Sequence, residues 1–570
     1  MPTIHPVTFD VTQIPFSRKG SWLDVSPVVA LHTTRDDLHL VSHQTGMHAV
    51  LRMQAERDGR RVDTRWDATS AVLAWSTDDG TAVEAVFDTL DSLRVRGTGT
   101  DFRIADAAEV LTPFSGTFFF QDPIDGAAIF TSYETGRRYR VTILSGELIF
   151  DGAEALGEKA RAVIARGNEW ELVIEEFETA RPPYAQSRSF EDAVSEVQRE
   201  FDGYASEHTS WNDGTASAAG LAVYVLWSAT VAPRGFLGRE AVLMSKHWMD
   251  KVWSWDHCFN ALALAPGDAS LGMDQFLTPF DHLDSSGAMP DSVTHSEILY
   301  NFVKPPIHGW ALAKLRESTE LDREELQVVY GLLSRWSRFW LDSRRVEGHQ
   351  LAHYQHGNDS GWDNSTTFDF DRLIESPDLA GFLVVQFAVL ADLADELGNG
   401  EGDGWREETS LMRDALLDSL WDGTNFVARG VLNRRESKSS SLLNLLTIIA
   451  ARHLPSDVRD ALAASISAHL TEWGPATQLV DSFEYEDDGY WRGPIWAPST
   501  VLIEDGLRSS GFIELADEVS LRFRRLCEMS GFAENFDALT GAGLRDRAYT
   551  WTASAYLLLA REAAVRAKTS

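Results

Sequence analysis

Two short segments about 170 positions apart hold the residues best suited to chemistry. HGNDSGWDNST (356–366) carries Asp363, and AENFDALTGAG (533–543) carries Glu534. Each carboxylate sits among small, aromatic and amide residues. Hydrolysis of a glycosidic bond commonly uses two carboxyl groups. One protonates the leaving oxygen, and the other activates a water or attacks the sugar carbon. Two further segments, WSWDHCF (253–259) and YWRGPIW (490–496), bring Trp253, Trp255, Trp491 and Trp496, while Trp362 adjoins Asp363. Indole faces pack on the apolar faces of sugar rings, and neighbouring polar groups read the hydroxyls. Each residue also has a plainer use. Asp363 could be a solvated loop aspartate, Glu534 a helix-end residue, Asp256 a helix cap and Arg492 a pin for a loop carboxylate.

The composition limits what these segments can belong to. The chain has 570 residues, 44% hydrophobic and 24% charged, a globular balance long enough for two domains. A formal net charge of -35 excludes nucleic acid and anionic membrane surfaces as expected partners, because phosphate binding needs a basic face. Two cysteines, Cys258 and Cys527, make no disulfide framework, and Cys258 reads as a buried, unreactive thiol. The stretch MPTIHPVTFDVTQIPF shows no basic region followed by an apolar run. No segment is read as approaching the apolar length of a membrane span, and a cytoplasmic location is expected.

Two periodicities divide the chain. Up to about residue 182, short runs rich in β-branched and aromatic residues, such as RRYRVTIL (137–144) and EWELVIEEF (169–177), read as strands. Turn signals separate such runs at Asp79-Gly80, Asp125-Gly126, Thr135-Gly136, Asp151-Gly152 and Gly167-Asn168. A β-sandwich is expected over 1–182, then a helical linker over 183–214. From 215 to 570 the period becomes 3.6. Helices are expected near 217–231, 255–265, 269–284, 307–318, 322–344, 377–397, 405–421, 440–453, 456–471, 498–510, 512–530 and 549–567. Twelve helices in hairpin pairs close into an (α/α)6 barrel, and the absence of a fixed repeat argues against an open solenoid. Fourteen of the 19 tryptophans follow residue 215; Trp336 and Trp340 lie at helical spacing and read as core.

In order and spacing, the motifs resemble those of glycoside hydrolase family 63 and the related trehalases. WSWDHCF resembles its Trp-Asp-x-x-Phe segment, FVKPPIHGWAL (302–312) its Gln-Pro-Pro stretch, and DSGWDNS (359–365) its general-acid motif. YWRGPIWAPSTVLI (490–503) resembles Tyr-Trp-Arg-Gly-Pro-Val/Ile-Trp. ENFDALTGAG (534–543) with YTWTASAYLLL (549–559) resembles the general-base segment and closing helix. The resemblance covers roughly residues 217–565. It implies an exo-acting, inverting α-glycosidase acting on α-glucosides or α-mannosides, with Asp363 as acid and Glu534 as base. It also implies Trp253, Trp255, Asp256, Lys304, Trp362, Trp491, Arg492, Trp496 and Asn535 as substrate-binding residues. Carboxyl groups roughly 6.5–9.5 Å apart leave room for the attacking water in such a mechanism. Asp359 stands where Glu is common, and Lys304 where Gln is usual. The second departure disfavours trehalose and makes Lys304 or His308 a candidate reader of an anionic aglycone.

No cofactor is implied, and no metal-ligand pattern is present. The partner expected is a carbohydrate substrate, and the oligomeric state is left open. Three other readings compete. A polysaccharide lyase on a helical toroid would want Tyr, His and cations around a uronate. A non-catalytic glycan-binding protein would not need Asp363 and Glu534 together. A phosphorylase would need a basic phosphate site.

Overall fold

The computed structural model describes residues 7–108, 110–153 and 160–569. The first six residues of the stretch read for a leader therefore lie outside the described residues. Two compact units are present. One is Met1–Ser210 with Val223–Lys251 and Thr294–Ser296, and the other is Trp211–Ala222 with Val252–Val293 and Glu297–Ser570.

In the first unit, fourteen strands join one antiparallel sheet rather than two separate ones. Strands Leu73–Thr77 and Asp101–Asp106 are four pairings apart along it. At about 4.8 Å per strand they would stand roughly 19 Å apart in a flat sheet. The Trp75 and Phe102 rings nevertheless meet at 5.5 Å between centroids. The sheet therefore curls until its inner face packs on itself, closing a core that includes Leu40, Met53, Phe87, Val95, Phe130 and Leu172.

Two long strands, Arg138–Asp151 and Ala162–Phe177, carry the bend. Their register slips on both sides of Ser145, and the left-handed Gly146 (φ 86°) lies beside Gly167 (φ 151°). A Cβ at Gly146 would stand 2.7 Å from that of Trp170. Gly167-Asn168, read from sequence as a turn, is thus a bend inside one 16-residue strand. The helix expected after the strands is α1 (Phe190–Thr209), started by a reciprocal capping box between Ser189 and Asp192.

The unit boundary does not follow the change of period near 215. Residues 223–251 belong to the β-rich unit and are bonded into it. The Gly20 N–H donates to the Thr230 carbonyl (2.8 Å), and Lys246 Nζ donates to Ser17 Oγ (2.8 Å). Asp250 accepts from His43 (3.1 Å).

Eleven further α-helices follow: α2 (Ala219–Ala229), α3 (Asp256–Leu264), α4 (Ala269–Leu277), α5 (His308–Leu315), α6 (Arg323–Ser343), α7 (Pro377–Leu397), α8 (Gly402–Leu420), α9 (Ser456–His469), α10 (Ala497–Ser509), α11 (Ile513–Ser530) and α12 (Thr550–Thr569). The segment expected as a helix over 440–453 is a 3₁₀ helix, Leu442–His453. In the helical unit α3 packs on α5, α5 on α7, α7 on the 3₁₀ helix, that helix on α10, α10 on α12, and α12 back on α3. This closed inner ring of six is the arrangement expected of an (α/α)6 barrel. Outside it, α4, α6, α8, α9 and α11 each pack on an inner helix.

Local chemistry explains the two oddities of the ring. Gln386 interrupts the apolar face of α7, yet it is fully buried. Its Oε1 accepts from Gly309 N (3.1 Å) and its Nε2 donates to Ser337 Oγ (2.8 Å), so it joins α5, α6 and α7. The long 3₁₀ run is squeezed from both sides. A Cβ at Gly506 of α10 would stand 2.7 Å from the Ile448 side chain, and one at Gly381 of α7 would stand 3.3 Å from Thr447 Cα. The tighter 3₁₀ coil fits that gap. The expectation that no segment nears membrane-span length needs correction. Helix α7 is long and apolar enough by composition, at a mean hydropathy of 1.6, but 78% of that window is buried inside the protein. Trp336 and Trp340 are fully buried, as their spacing implied.

Candidate active site

Loop segments of the helical unit are zipped together, mostly by residues of the motifs or their immediate neighbours. The Asp363 loop begins with a 3₁₀ turn, Gly357–Ser360, ended by Gly361 in the left-handed region (φ 72°). Only glycine fits there, because a Cβ would lie 2.3 Å from the Trp255 ring. Asn364 then locks this loop to the next motif. Its Nδ2 donates to Gly489 O (3.0 Å), and its Oδ1 accepts from Trp491 N (3.0 Å). Ile495 and Phe536 exchange backbone bonds of 2.7 and 3.0 Å, tying that motif to the Glu534 segment. Strand Val252–Trp253 pairs with Ser292–Val293, and Lys304 Nζ donates to Asn358 O (2.9 Å).

The result gathers carboxyl groups in a poorly hydrated place. Burial raises the Asp363 carboxyl above its ordinary value; Lys304 opposes the shift and Asp291 adds to it. Burial, then the charge of Asp546, pushes Glu534 up to about 7, against Arg545 and a hydrogen bond from Tyr490. Burial pushes Asp256 up to about 8; Lys304 pulls it down, while Asp291 and Asp363 push it up. Desolvation disfavours a carboxylate, and like charges nearby add to the cost. Asp256 lies in the first turn of α3 but caps nothing there, and its Oδ2 has no hydrogen-bond partner. Tyr490 links the two ends of the site. It bonds Glu534 and feels the charge of both Glu534 and Asp363, while burial holds its phenol well above the usual range. Tyr549 likewise feels Glu534, Tyr490 and Asp256.

Other expected residues hold the site together instead of facing a ligand. Arg492 Nε donates to Asn364 O (2.7 Å) and its Nη2 pairs with Asp369 (2.6 Å), so it pins the Asp363 loop. Asp359, 1% exposed, accepts from Val303 N, Gln355 N and Arg344, which accounts for its place in the motif without any sugar. Lys304 is paired with Asp291 (2.9 Å) and sits 5.4 Å from the Trp253 ring centroid. His308 is buried, bonded to Ser254 O (3.0 Å) and pushed down to about 4 by desolvation. Neither Lys304 nor His308 presents an uncommitted cation for an anionic aglycone. Asn535 Oδ1 accepts from Arg545 (2.8 Å), and its Nδ2 is unpartnered. Cys258 is buried, which pushes its thiol well above the usual range.

The tryptophans need a larger correction. Trp255, Trp362, Trp491 and Trp496 are at most 2% exposed and pack on one another rather than lining an open wall. Trp491 lies between Trp362 (4.5 Å) and Trp496 (3.9 Å, 7° between planes), so indoles occupy its faces. Trp551 continues the run to Trp255. Each such pair adds about 0.5–1.5 kcal/mol beyond area burial. Trp253 differs: it is partly exposed and its indole N–H has no partner.

Sequence reasoning missed Tyr490, Tyr549, Arg545, Asp291 and Asp546. Tyr490 (φ 63°) and Arg545 (φ 59°) are both left-handed without being glycine, and the guanidinium lies 4.9 Å from the tyrosine ring centroid. Such backbone is costly and tends to persist at functional sites. Only the adjacency of Tyr490 to Trp491 hinted at it.

Comparison with known proteins places this arrangement. The sequence profile of the mannosylglycerate hydrolase MGH1-like glycoside hydrolase domain matches residues 249–552. A mannosylglycerate hydrolase from Rubrobacter radiotolerans is 24% identical over 396 residues, covering 54% of this chain and 89% of its own. A glucosylglycerate hydrolase from Mycolicibacterium hassiacum is 23% identical over 432 residues, covering 57% and 94%. The structure of a GH63 mannosylglycerate hydrolase from Thermus thermophilus in complex with glucose matches with a TM-score of 0.54 at 19% identity. That match spans 60% of this chain and 99% of the other, and it speaks for the fold alone. With the profile covering more than half of the chain, including the Asp363 and Glu534 segments, the chain belongs to the mannosylglycerate hydrolase MGH1-like family and is a glycoside hydrolase of the GH63 type.

Proposed function

We propose that the protein is an exo-acting, inverting α-glycosidase, with Asp363 as general acid and Glu534 as general base. The observation that carries this reading is Tyr490, which bonds Glu534 and feels the charge of Asp363, so both carboxyl groups serve one small site. Burial keeps Asp363 protonated to higher pH, as an acid needs. Glu534, raised to about 7 by burial, acts as base in its ionised form, which Arg545 and the Tyr490 hydroxyl favour. Asp256, with an unpartnered oxygen, takes a hydroxyl of the sugar, and Trp253 offers the exposed aromatic edge.

The substrate is an α-mannoside or α-glucoside of a small hydroxy acid such as glycerate. Its support is the activity named for the two relatives above. The carboxylate of such an aglycone is taken by Arg545, which stays bonded to Asn535 through one nitrogen while its ion pair with the largely exposed Asp488 is exchanged. The test is proton NMR of the sugar released from α-mannosylglycerate, α-glucosylglycerate and neutral α-glycosides. The β-anomer appears first, and neither Asp363→Asn nor Glu534→Gln releases it. An initial α-anomer sinks the inverting mechanism. Turnover of neutral glycosides alone sinks the hydroxy-acid substrate and leaves the hydrolase.

A further inference from the structure

A second cavity, of about 510 Å³, lies behind the turn that follows Asp363. This size is within the roughly 300–1,000 Å³ typical of small-molecule sites. Its floor is the serine-rich stretch ESKSSS (436–441) and the start of the 3₁₀ helix. The serines are set by a ladder of local bonds. Ser437 Oγ accepts from Ser439 N (3.2 Å), Ser439 Oγ from Ser441 N (3.1 Å), and Ser441 Oγ from Leu443 N (3.3 Å). Ser439 and Ser441 are spent on such bonds, whereas the hydroxyls of Ser437 and Ser440 keep a proton to donate.

Two features point to a ligand. Asn444 lines the cavity at 3% exposure, and its Oδ1 has no hydrogen-bond partner. Phe426, also 3% exposed, supplies a ring among the hydroxyls, with Leu445 and Leu479 beside it. The charged groups of the lining, Asp422, Glu436 and Lys438, lie partly or wholly exposed. A lining of hydroxyls, two amides (Asn425 and Asn444), the Phe426 ring and the buried His469 imidazole suits an uncharged molecule with many hydroxyls and an apolar C–H face.

We propose that this cavity is a second carbohydrate site, distinct from Asp363 and Glu534, that takes a neutral monosaccharide or polyol. Its occupant touches the same serines that hold the Asp363 loop. Ser439 Oγ bonds Thr366 Oγ1 (2.5 Å), and Ser441 Oγ bonds Ser365 Oγ (2.9 Å). Binding there stiffens the turn that begins two residues after the acid.

Hydrogen exchange read by mass spectrometry on the full chain tests this, with D-glucose and glycerol titrated separately. At least one probe should protect peptides covering 437–445 and 465–469 in a saturable way, in the wild type and in Glu534→Gln. Ala468→Trp, at an exposed position of α9 on the cavity rim, should abolish that protection together with any at 365–367, and leave any around 534 intact. Asn444→Leu should weaken it at least tenfold, an independent check should the bulkier variant misfold. Protection by neither probe at 437–445, or equal protection in wild type and both variants, overturns the site. The hydrolytic activity is measured separately, so a failure here is distinguishable from a failure of the glycosidase reading.

Discussion

Buried charge is handled in opposite ways in two parts of the molecule. In the β-rich unit it is paired: Arg140 with Glu175 (2.6 Å), Arg161 with Asp106 (2.7 Å), and His43 between Asp24 (2.5 Å) and Asp250 (3.1 Å). Around Asp363 and Glu534 the pairing is less complete: Lys304 meets Asp291 (2.9 Å), but other groups are left short. Asp256 Oδ2, Asn535 Nδ2 and the indole N–H groups of Trp253, Trp362 and Trp551 lack hydrogen-bond partners. Asp256, Asp363 and Glu534 are all pushed upward by desolvation. The β-rich unit has gaps too, at Asp24 Oδ1 and Gln44 Oε1, but around Asp363 and Glu534 unpartnered atoms and raised carboxyl groups coincide.

The comparison breaks first at the carboxyl pair. If unsatisfied charge marks catalysis, Asp363→Asn and Glu534→Gln each lower turnover by about 10²–10⁴-fold, typical of a lost proton-transfer group, with the fold intact. A variant retaining a tenth of wild-type kcat would remove that residue from the mechanism.

The mirror-image test is His43→Leu. It strands Asp24 and Asp250 in the interior and should cost about 3–5 kcal/mol in denaturant unfolding, while turnover per folded molecule is unchanged. The pairing also has a pH signature. Burial opposes the imidazolium, but the bonds and charges of Asp24 and Asp250 outweigh it and raise His43 to about 9. Its stabilisation is therefore complete below the unfolded value of 6.5 and lost as pH rises through 9. A variant as stable as wild type at pH 6 would show that the triad contributes nothing.

Asp256 gives the opposite sign. The folded state keeps a proton up to about pH 8 that the unfolded chain releases near 4, so this group makes stability fall as pH rises between those values. Asp256→Asn should melt higher than wild type at pH 8, by about 2–4 °C per kcal/mol recovered, and match it near pH 4. It should also lose activity, since stability gained at a site commonly costs function. Parallel melting curves across pH would place Asp256 with the satisfied charges.

The smallest effect is expected from Arg545→Gln. Its charge favours ionised Glu534, so its loss should move the acidic limb of kcat/KM upward by about one pH unit. An unmoved limb would mean that Arg545 acts on the aglycone alone.

Much of this was readable in the chain. Amphipathic period and Ser, Pro and Gly punctuation placed the helices, because α7 and its neighbours bury one face against a ring. The motifs singled out Asp363, Glu534 and Asp256, three carboxyl groups that the fold buries. What was not readable depends on contacts distant in sequence. The 3₁₀ form of Leu442–His453 follows from Gly381 and Gly506, far along the chain on either side. The single curled sheet follows from Gly146 meeting Gly167, whose own neighbourhood reads as a turn. Arg492 and Lys304 looked like ligand-facing cations because sequence does not show that Asn364, Asp369 and Asp291 already occupy them. Tyr490 was passed over because nothing in its residue type announces a left-handed backbone.

The run of indoles from Trp362 through Trp491, Trp496 and Trp551 to Trp255 has an optical consequence. Its centroid spacings of 4.5, 3.9, 6.0 and 5.1 Å are short enough for neighbouring rings to share excitation. Near-ultraviolet circular dichroism should therefore be dominated by this one run, which touches the loops bearing Asp363 and Arg492. Loosening of those loops would dim that signal while the far-ultraviolet helical signal stays, giving the protein a built-in dye for their integrity.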